Sequence, residues 1–201
     1  MTYKTFTLAF FAALQATPSV ALESTNPLLV ENFTQVYETK NHAKARQVNI
    51  IVKYPKNWKA QEARSPVIVQ KFNSTTPLDH PELQIQVRQI AIGLDSEESC
   101  RKATIEDMRK EMDTTGMRTT EIKKIEAKGR PAIQITNTAT FKAGTLSVPM
   151  AIKHINICYR DKWVGLACSI GDFGGTEESA LQRLNVFDKL CNNFFELAEI
   201  Q

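Results

Sequence analysis

Residues 153–171, KHINICYRDKWVGLACSIG, combine a histidine with two cysteines around a tight turn, so the first chemistry to consider is a thiol–imidazole pair. Such a pair needs its heavy atoms about 3 Å apart. On a strand, His154 and Cys158 are four positions apart, which is ~13 Å at 3.3 Å per residue. We therefore expect no cysteine nucleophile here and turn to what else the cysteines do.

The first 21 residues resemble a secretory signal peptide. Lys4 precedes the apolar run FTLAFFAAL, and Ser19 and Ala21 form a small-x-small cleavage site. The apolar run is shorter than the roughly 20 residues that span a bilayer. We predict cleavage near Ala21 and a periplasmic or extracellular location, with no membrane span.

An oxidising location changes the meaning of the cysteines. The chain has 4 of them and no C-x-x-C spacing, which favours disulfides over a zinc or thioredoxin-like site. Three scattered histidines make a poor ligand set. We expect neither a metal nor another cofactor.

The charge of the chain gives no sign of a nucleic-acid partner. Removal of residues 1–21 takes away Lys4 and no acid, which lowers the formal charge from +3 to +2. Nucleic-acid binding would require a strongly basic patch. We expect a protein or a small molecule as partner.

The mature chain divides into residues 22–47, a predicted N-terminal helical extension, and residues 48–201, a predicted single α+β domain. Asn26 can cap the first helix, and Pro27 fits its first turn. Its apolar residues recur at helical spacing and form a candidate contact surface: Leu29, Phe33, Val36 and Tyr37.

The larger segment alternates apolar and polar residues in several strands, with one helix between them. Helices are predicted over 96–114 and, as one long C-terminal helix capped by Thr176, over 176–198. Short connections favour antiparallel neighbours. The predicted strands are 48–55, 66–72, 82–93, 120–127, 131–141, 146–159 and 162–170.

The segment VNIIVKYPKNWKAQE, with its turn Tyr54-Pro55-Lys56-Asn57-Trp58, resembles the opening strand of the PsbP family and its DcrB-like relatives. The order of elements over roughly residues 46–198 is similar too. The resemblance implies a sheet sandwiched by helices and an accessory or binding role. It carries over no catalytic residue, and the four cysteines depart from the usual pattern of the family.

A two-residue turn at Arg160-Asp161 sets the register of the last hairpin. Tyr159 then pairs with Lys162 and Cys158 with Trp163, so Cys158 and Cys168 point to opposite faces and cannot bond each other. The height of Cys191 along its helix favours Cys158–Cys191 with Cys100–Cys168. The faces of the sheet favour the alternative, Cys168–Cys191 with Cys100–Cys158. We favour the pairing that the height of Cys191 indicates, Cys158–Cys191 with Cys100–Cys168.

The same register predicts one apolar and one polar face. We expect a polar face that either meets water or forms a ligand-binding floor, with Trp163 as a stacking platform. Its expected members are Trp163, His154, Asn156, Thr136 and Thr138.

These patterns favour an exported, non-catalytic binding or accessory protein. A small secreted hydrolase with carboxylates from several strands is the alternative, because acids from distant strands leave no local motif. The glycine-rich GDFGGTEES lacks the Lys-Ser/Thr of a phosphate-binding loop, and we interpret it as a connection to the last helix.

Overall fold

The computed structural model describes residues 32–75, 81–90, 97–143 and 145–201. These residues form an α+β arrangement with a seven-stranded antiparallel sheet between helices and a smaller three-stranded sheet, as the sequence predicted. The elements are β1 (Gln35–Glu38), β2 (Ile50–Tyr54), β3 (Lys59–Gln61), β4 (Ile68–Asn73), β5 (Glu82–Gln89), α1 (Glu97–Thr115), β6 (Arg118–Ala127), β7 (Arg130–Ala143), β8 (Leu146–Tyr159), β9 (Lys162–Gly171), α2 (Glu177–Val186), α3 (Asp188–Leu197) and β10 (Glu199–Ile200).

The large sheet has the strand order β3-β4-β5-β9-β8-β7-β6, so β8 and β9 lie near its centre. The predicted hairpin register is confirmed: Cys158 pairs with Trp163 and Tyr159 with Lys162. Side chains of paired residues share a face. The sheet therefore has an α1 face, which carries Trp163, and an α2 face, which carries the main core.

The predicted N-terminal helix is wrong in the part of it that the structure describes. Gln35–Glu38 is a strand that pairs with β2, and the side chains of Phe33 and Tyr37 pack against the main core while Val36 is 60% exposed. The free edge of β2 offers ladder hydrogen bonds that local spacing does not reveal. Leu29 lies outside the described residues.

The C-terminal helix starts as predicted but is not one long helix. The Oγ1 of Thr176 accepts from the N–H of Ser179, whose side chain accepts in return from the N–H of Thr176. The helix is interrupted at Phe187, which ends α2 and precedes α3. Helix α2 packs against β7, β8 and β9, whereas α3 packs against β9 and against β2 of the small sheet.

Two disulfides connect the helices to the central hairpin, one on each face of the sheet. Cys168 of β9 bonds Cys191 of α3, and Cys100 of α1 bonds Cys158 of β8. The favoured pairing, Cys158–Cys191 with Cys100–Cys168, is therefore wrong, and the alternative is present. The direction in which a strand side chain points decides the partner, because a bond between opposite faces would have to cross the sheet.

Candidate functional site

The α1 face contains a second, smaller core beneath α1. Cys158, Trp163 and Met108 are buried in this cluster together with Ile133 and Ile135 of β7. The disulfide Cys100–Cys158 attaches the first turn of α1 to the sheet. Helix and sheet thus enclose the middle of this face, so it does not meet water there.

Four of the buried polar side chains on this enclosed face have polar atoms without a hydrogen-bond partner, and we call these four the polar layer: Asn137, His154, Asn156 and Ser169. Asn156 and Asn137 are fully buried, and His154 is 7% exposed. In the strand register, Asn156 lies opposite Gly165 and His154 opposite Ala167, while Asn137 and Ser169 both lie opposite Ile152. The four residues therefore occupy three successive rows of one face.

Polar atoms of all four side chains have no hydrogen-bond partner among the described residues. These atoms are the Nδ2 of Asn137, both ring nitrogens of His154, the Nδ2 and Oδ1 of Asn156 and the Oγ of Ser169. An unsatisfied buried polar group costs about 1–3 kcal/mol. Native proteins rarely bury several such groups together without a water or a ligand to complete their bonds.

The imidazole of His154 is held in its neutral form. Its burial, and then the positive charge of Arg88, lower its pKa from 6.5 to about 4. A neutral imidazole has one N–H donor and one acceptor nitrogen. At neutral pH the layer therefore has amide, hydroxyl and imidazole groups and no ion of its own.

A hydrogen-bonded ladder on β5 contrasts with the polar layer on the same face. The Nε2 of Gln86 donates to the Oε1 of Gln84, 2.9 Å away, and Gln84 donates in turn to Glu82. The Nζ of Lys71 donates to Glu82 at 2.9 Å. Gln84 and Gln86 on β5 thus find partners in the chain, whereas each side chain of the layer keeps at least one polar atom without a partner among the described residues.

Trp163 is a core residue rather than an exposed stacking platform, since it is only 1% exposed. Its ring has the guanidinium of Arg88 at 5.2 Å from the ring centroid. A Cβ added to Gly165 would lie 2.7 Å from the ring and 3.0 Å from the Oδ1 of Asn156. Gly165 therefore lets Trp163 pack against β9 beside the polar layer.

Thr136 and Thr138 do not lie with His154, which corrects the predicted polar face. Thr136 pairs with Lys153 and Thr138 with Ala151, so both side chains point to the α2 face. The Oγ1 of Thr138 donates to Glu177 of α2 at 2.9 Å. We expected the threonines of β7 to lie on the same face as His154 and Asn156 of β8. The pairing of the two strands places them on the opposite face.

Asn137 and Ser169 are members of the layer that the sequence analysis missed. Asn137 is at even spacing from Ile133 and Ile135, so it lies on the same side of β7 as these two apolar residues. We interpreted that side as apolar and therefore did not predict Asn137 as a member of the polar face. The spacing of Ser169 from Trp163 is even too, and the predicted hairpin register already placed it on the face of His154. The even spacing between Trp163 and Ser169 was therefore the signal in the sequence that could have identified Ser169.

Two carboxylates near the start of α2, Asp172 and Glu177, are held by hydrogen bonds and ion pairs. Arg183 and Ser179 bind Asp172, and Arg118 and Thr138 bind Glu177. Hydrogen bonds, from Ser179 to Asp172 and from Arg118 to Glu177, lower both pKa values. A catalytic acid needs a raised pKa, so these carboxylates do not support the hydrolase alternative.

Other site types find little support within the described ranges. No group of histidines, cysteines and acids there could hold a metal ion, and none of the helices there combines the length and the apolar composition of a membrane-spanning segment.

Two surface clefts lie away from the polar layer. A cleft of about 490 Å³ lies along Thr39 to Asn49, and another of about 320 Å³ lies beside Glu82 and Met150. Neither cleft is lined by Trp163, His154 or Asn156.

Comparisons with solved structures identify proteins of similar fold. LpqN of Mycobacterium tuberculosis superposes with a TM-score of 0.50 at 14% identity, over 88% of this chain and 96% of LpqN. The Ran-binding protein Mog1p of Saccharomyces cerevisiae gives a TM-score of 0.48 at 11% identity, over 75% of this chain and 89% of Mog1p. No protein-family profile and no curated protein sequence matches the chain. The chain therefore shares its fold with LpqN.

Proposed function

We propose that this chain is an exported, non-catalytic binding protein of PsbP-like or DcrB-like fold that holds a small polar molecule between α1 and the large sheet. The observation that carries this function is the polar layer, in which each of four buried side chains has at least one polar atom without a partner among the described residues. A bound molecule would complete their hydrogen bonds. Trp163 packs beside the molecule and shapes its site.

The chemistry of the sulfur and imidazole groups supports binding over catalysis. All four cysteines are in disulfides, so none is available as a thiolate nucleophile. His154 has a pKa of about 4, which makes it a weak base at neutral pH. The cysteines therefore stabilise the fold as disulfides, and the neutral imidazole of His154 is suited to binding through hydrogen bonds.

Export is supported by three independent features. The first 21 residues have the composition of a signal peptide, which we propose is removed after Ala21 to leave the mature chain. Both disulfides suit an oxidising compartment. LpqN, which shares the fold, is described as involved in cell envelope biogenesis.

Native mass spectrometry of the mature protein, isolated from the cells that produce it, tests this function. We expect a mass excess of one small molecule that disappears on denaturation. The Asn156→Leu variant should lose this excess. Asn185→Leu, at an exposed position of α2, should retain it.

The proposal fails if the native mass equals that of the chain alone and a crystal structure shows ordered waters completing the bonds of the polar layer. N-terminal sequencing of the same sample tests export separately, and a mature chain that starts at Met1 would contradict it.

A further inference from the structure

We infer that the ligand of the polar layer is an uncharged small molecule that both donates and accepts hydrogen bonds, as an amide does, and that its charged isosteres are excluded. This inference rests on the proposed function and deepens it. The juxtaposition that carries it is a set of neutral groups without partners, surrounded by charges that are already paired.

The unpartnered atoms of the layer supply both donors and acceptors. Asn137 offers only its Nδ2, because its Oδ1 accepts from the Oγ1 of Thr119 at 3.0 Å. Asn156 offers both an N–H₂ and a carbonyl oxygen. Ser169 and a neutral His154 can each donate and accept. A molecule that only donates or only accepts would leave part of this set unsatisfied.

The charges around the layer are paired and do not call for a counter-ion. On the β5 side, Arg88 is bound by Asp107 of α1 at 3.0 Å and its guanidinium lies over Trp163. Further along β5, Glu82 is bound by Lys71 at 2.9 Å. An anion or a cation added to the layer would therefore have to lose its hydration without gaining an unpaired opposite charge, which is costly in a buried site.

The spacing of the groups sets the scale of the ligand. The Cα atoms of His154 and Asn156, two positions apart on β8, are separated by about 6.6 Å at 3.3 Å per residue, and both side chains point to the same face. A planar group of a few heavy atoms can bridge them. The residues of β9 paired with Asn156 and His154 are Gly165 and Ala167, which add no polar side chain to the set.

Three isosteric probes test the inference: acetamide, acetate and acetamidinium have similar planar shapes and differ in charge. The mature protein, stripped of ligand by denaturation and refolding with its disulfides intact, is titrated with each at pH 7. Binding is followed by NMR of the His154 ring and the Asn156 side-chain amide. We expect acetamide to shift these signals in the millimolar range and each ion to bind at least tenfold more weakly.

Two variants keep the test specific. Asn156→Leu should abolish the acetamide shifts at His154, and Ser169→Ala, which changes little volume, should weaken binding by about tenfold. Asn185→Leu is the matched control and should bind acetamide as the natural chain does.

Acetate or acetamidinium binding as tightly as acetamide would overturn the inference, as would acetamide shifts that persist in Asn156→Leu. A charged small molecule found in the native protein and lost in Asn156→Leu would leave the proposed function standing while removing this inference. If no small molecule is retained and no probe shifts the signals, both fall.

Discussion

The natural protein is expected to lose stability as the pH falls, because His154 is buried in its neutral form. The His154→Gln variant should not show this part of the loss. In the folded chain His154 has a pKa of about 4, against 6.5 in the unfolded chain. Between these values the unfolded state binds the proton first. Stability therefore falls as the pH drops through 6.5, and the loss from this residue is complete below about pH 4.

The size of the effect follows from the shift. A shift of one pKa unit corresponds to about 1.4 kcal/mol, so the full loss is about 3 kcal/mol. Between pH 7.5 and pH 4.5 the expected loss is about 2.5 kcal/mol. Arg88, whose positive charge contributes to the lowered pKa of His154, is itself unchanged in the variant, so any other effect of Arg88 on stability cancels in the comparison.

The assay is urea unfolding of both proteins at several pH values between 7.5 and 4.5. The difference in unfolding free energy, natural protein minus His154→Gln, should fall by about 2.5 kcal/mol over this range. Asn185→Leu, at an exposed position of α2, retains His154 and should behave as the natural protein does. Equal pH dependence in the natural protein and His154→Gln would refute the assignment of a neutral, buried imidazole.

Three further outcomes are expected. In ligand-free protein, Asn156→Leu should raise the unfolding free energy by about 1–3 kcal/mol, because it removes buried groups without partners; a loss of stability would show that water satisfies them. Gly165→Ala should lower stability by about 1–3 kcal/mol and shift the emission of Trp163, since the new Cβ would overlap the indole ring; unchanged stability and emission would contradict this packing. Replacement of Cys100 and Cys158 by alanine should cost about 4 kcal/mol for the 58-residue loop, measured by urea unfolding, and a cost below 1 kcal/mol would argue against a bond that restrains α1.

The hairpin of β8 and β9 shows how far local sequence determines structure. Arg160 and Asp161 define a two-residue turn, and alternation then orders every side chain of both strands by face. The cap at Thr176 is equally local, since its partner Ser179 is three residues away. Both features have their partners close in sequence, and both were predicted correctly.

The tertiary structure decided which elements cover each face. His154, Asn156 and Trp163 have the alternation of a water-facing strand side, and only the position of α1 turns that side into an interior. The same long-range pairing placed Thr136 and Thr138 on the face opposite to the one predicted. Such contacts join residues far apart in the chain, so no local pattern contains them.

The disulfides combine both levels. The sequence alone established that Cys158 and Cys168 point to opposite faces and that each needs a helical cysteine as partner. Which helix lies on which face depends on burial of whole apolar surfaces, and that settled Cys168–Cys191 and Cys100–Cys158. Alternation along a strand is a property of the backbone, whereas the choice of covering helix is a property of the packed chain.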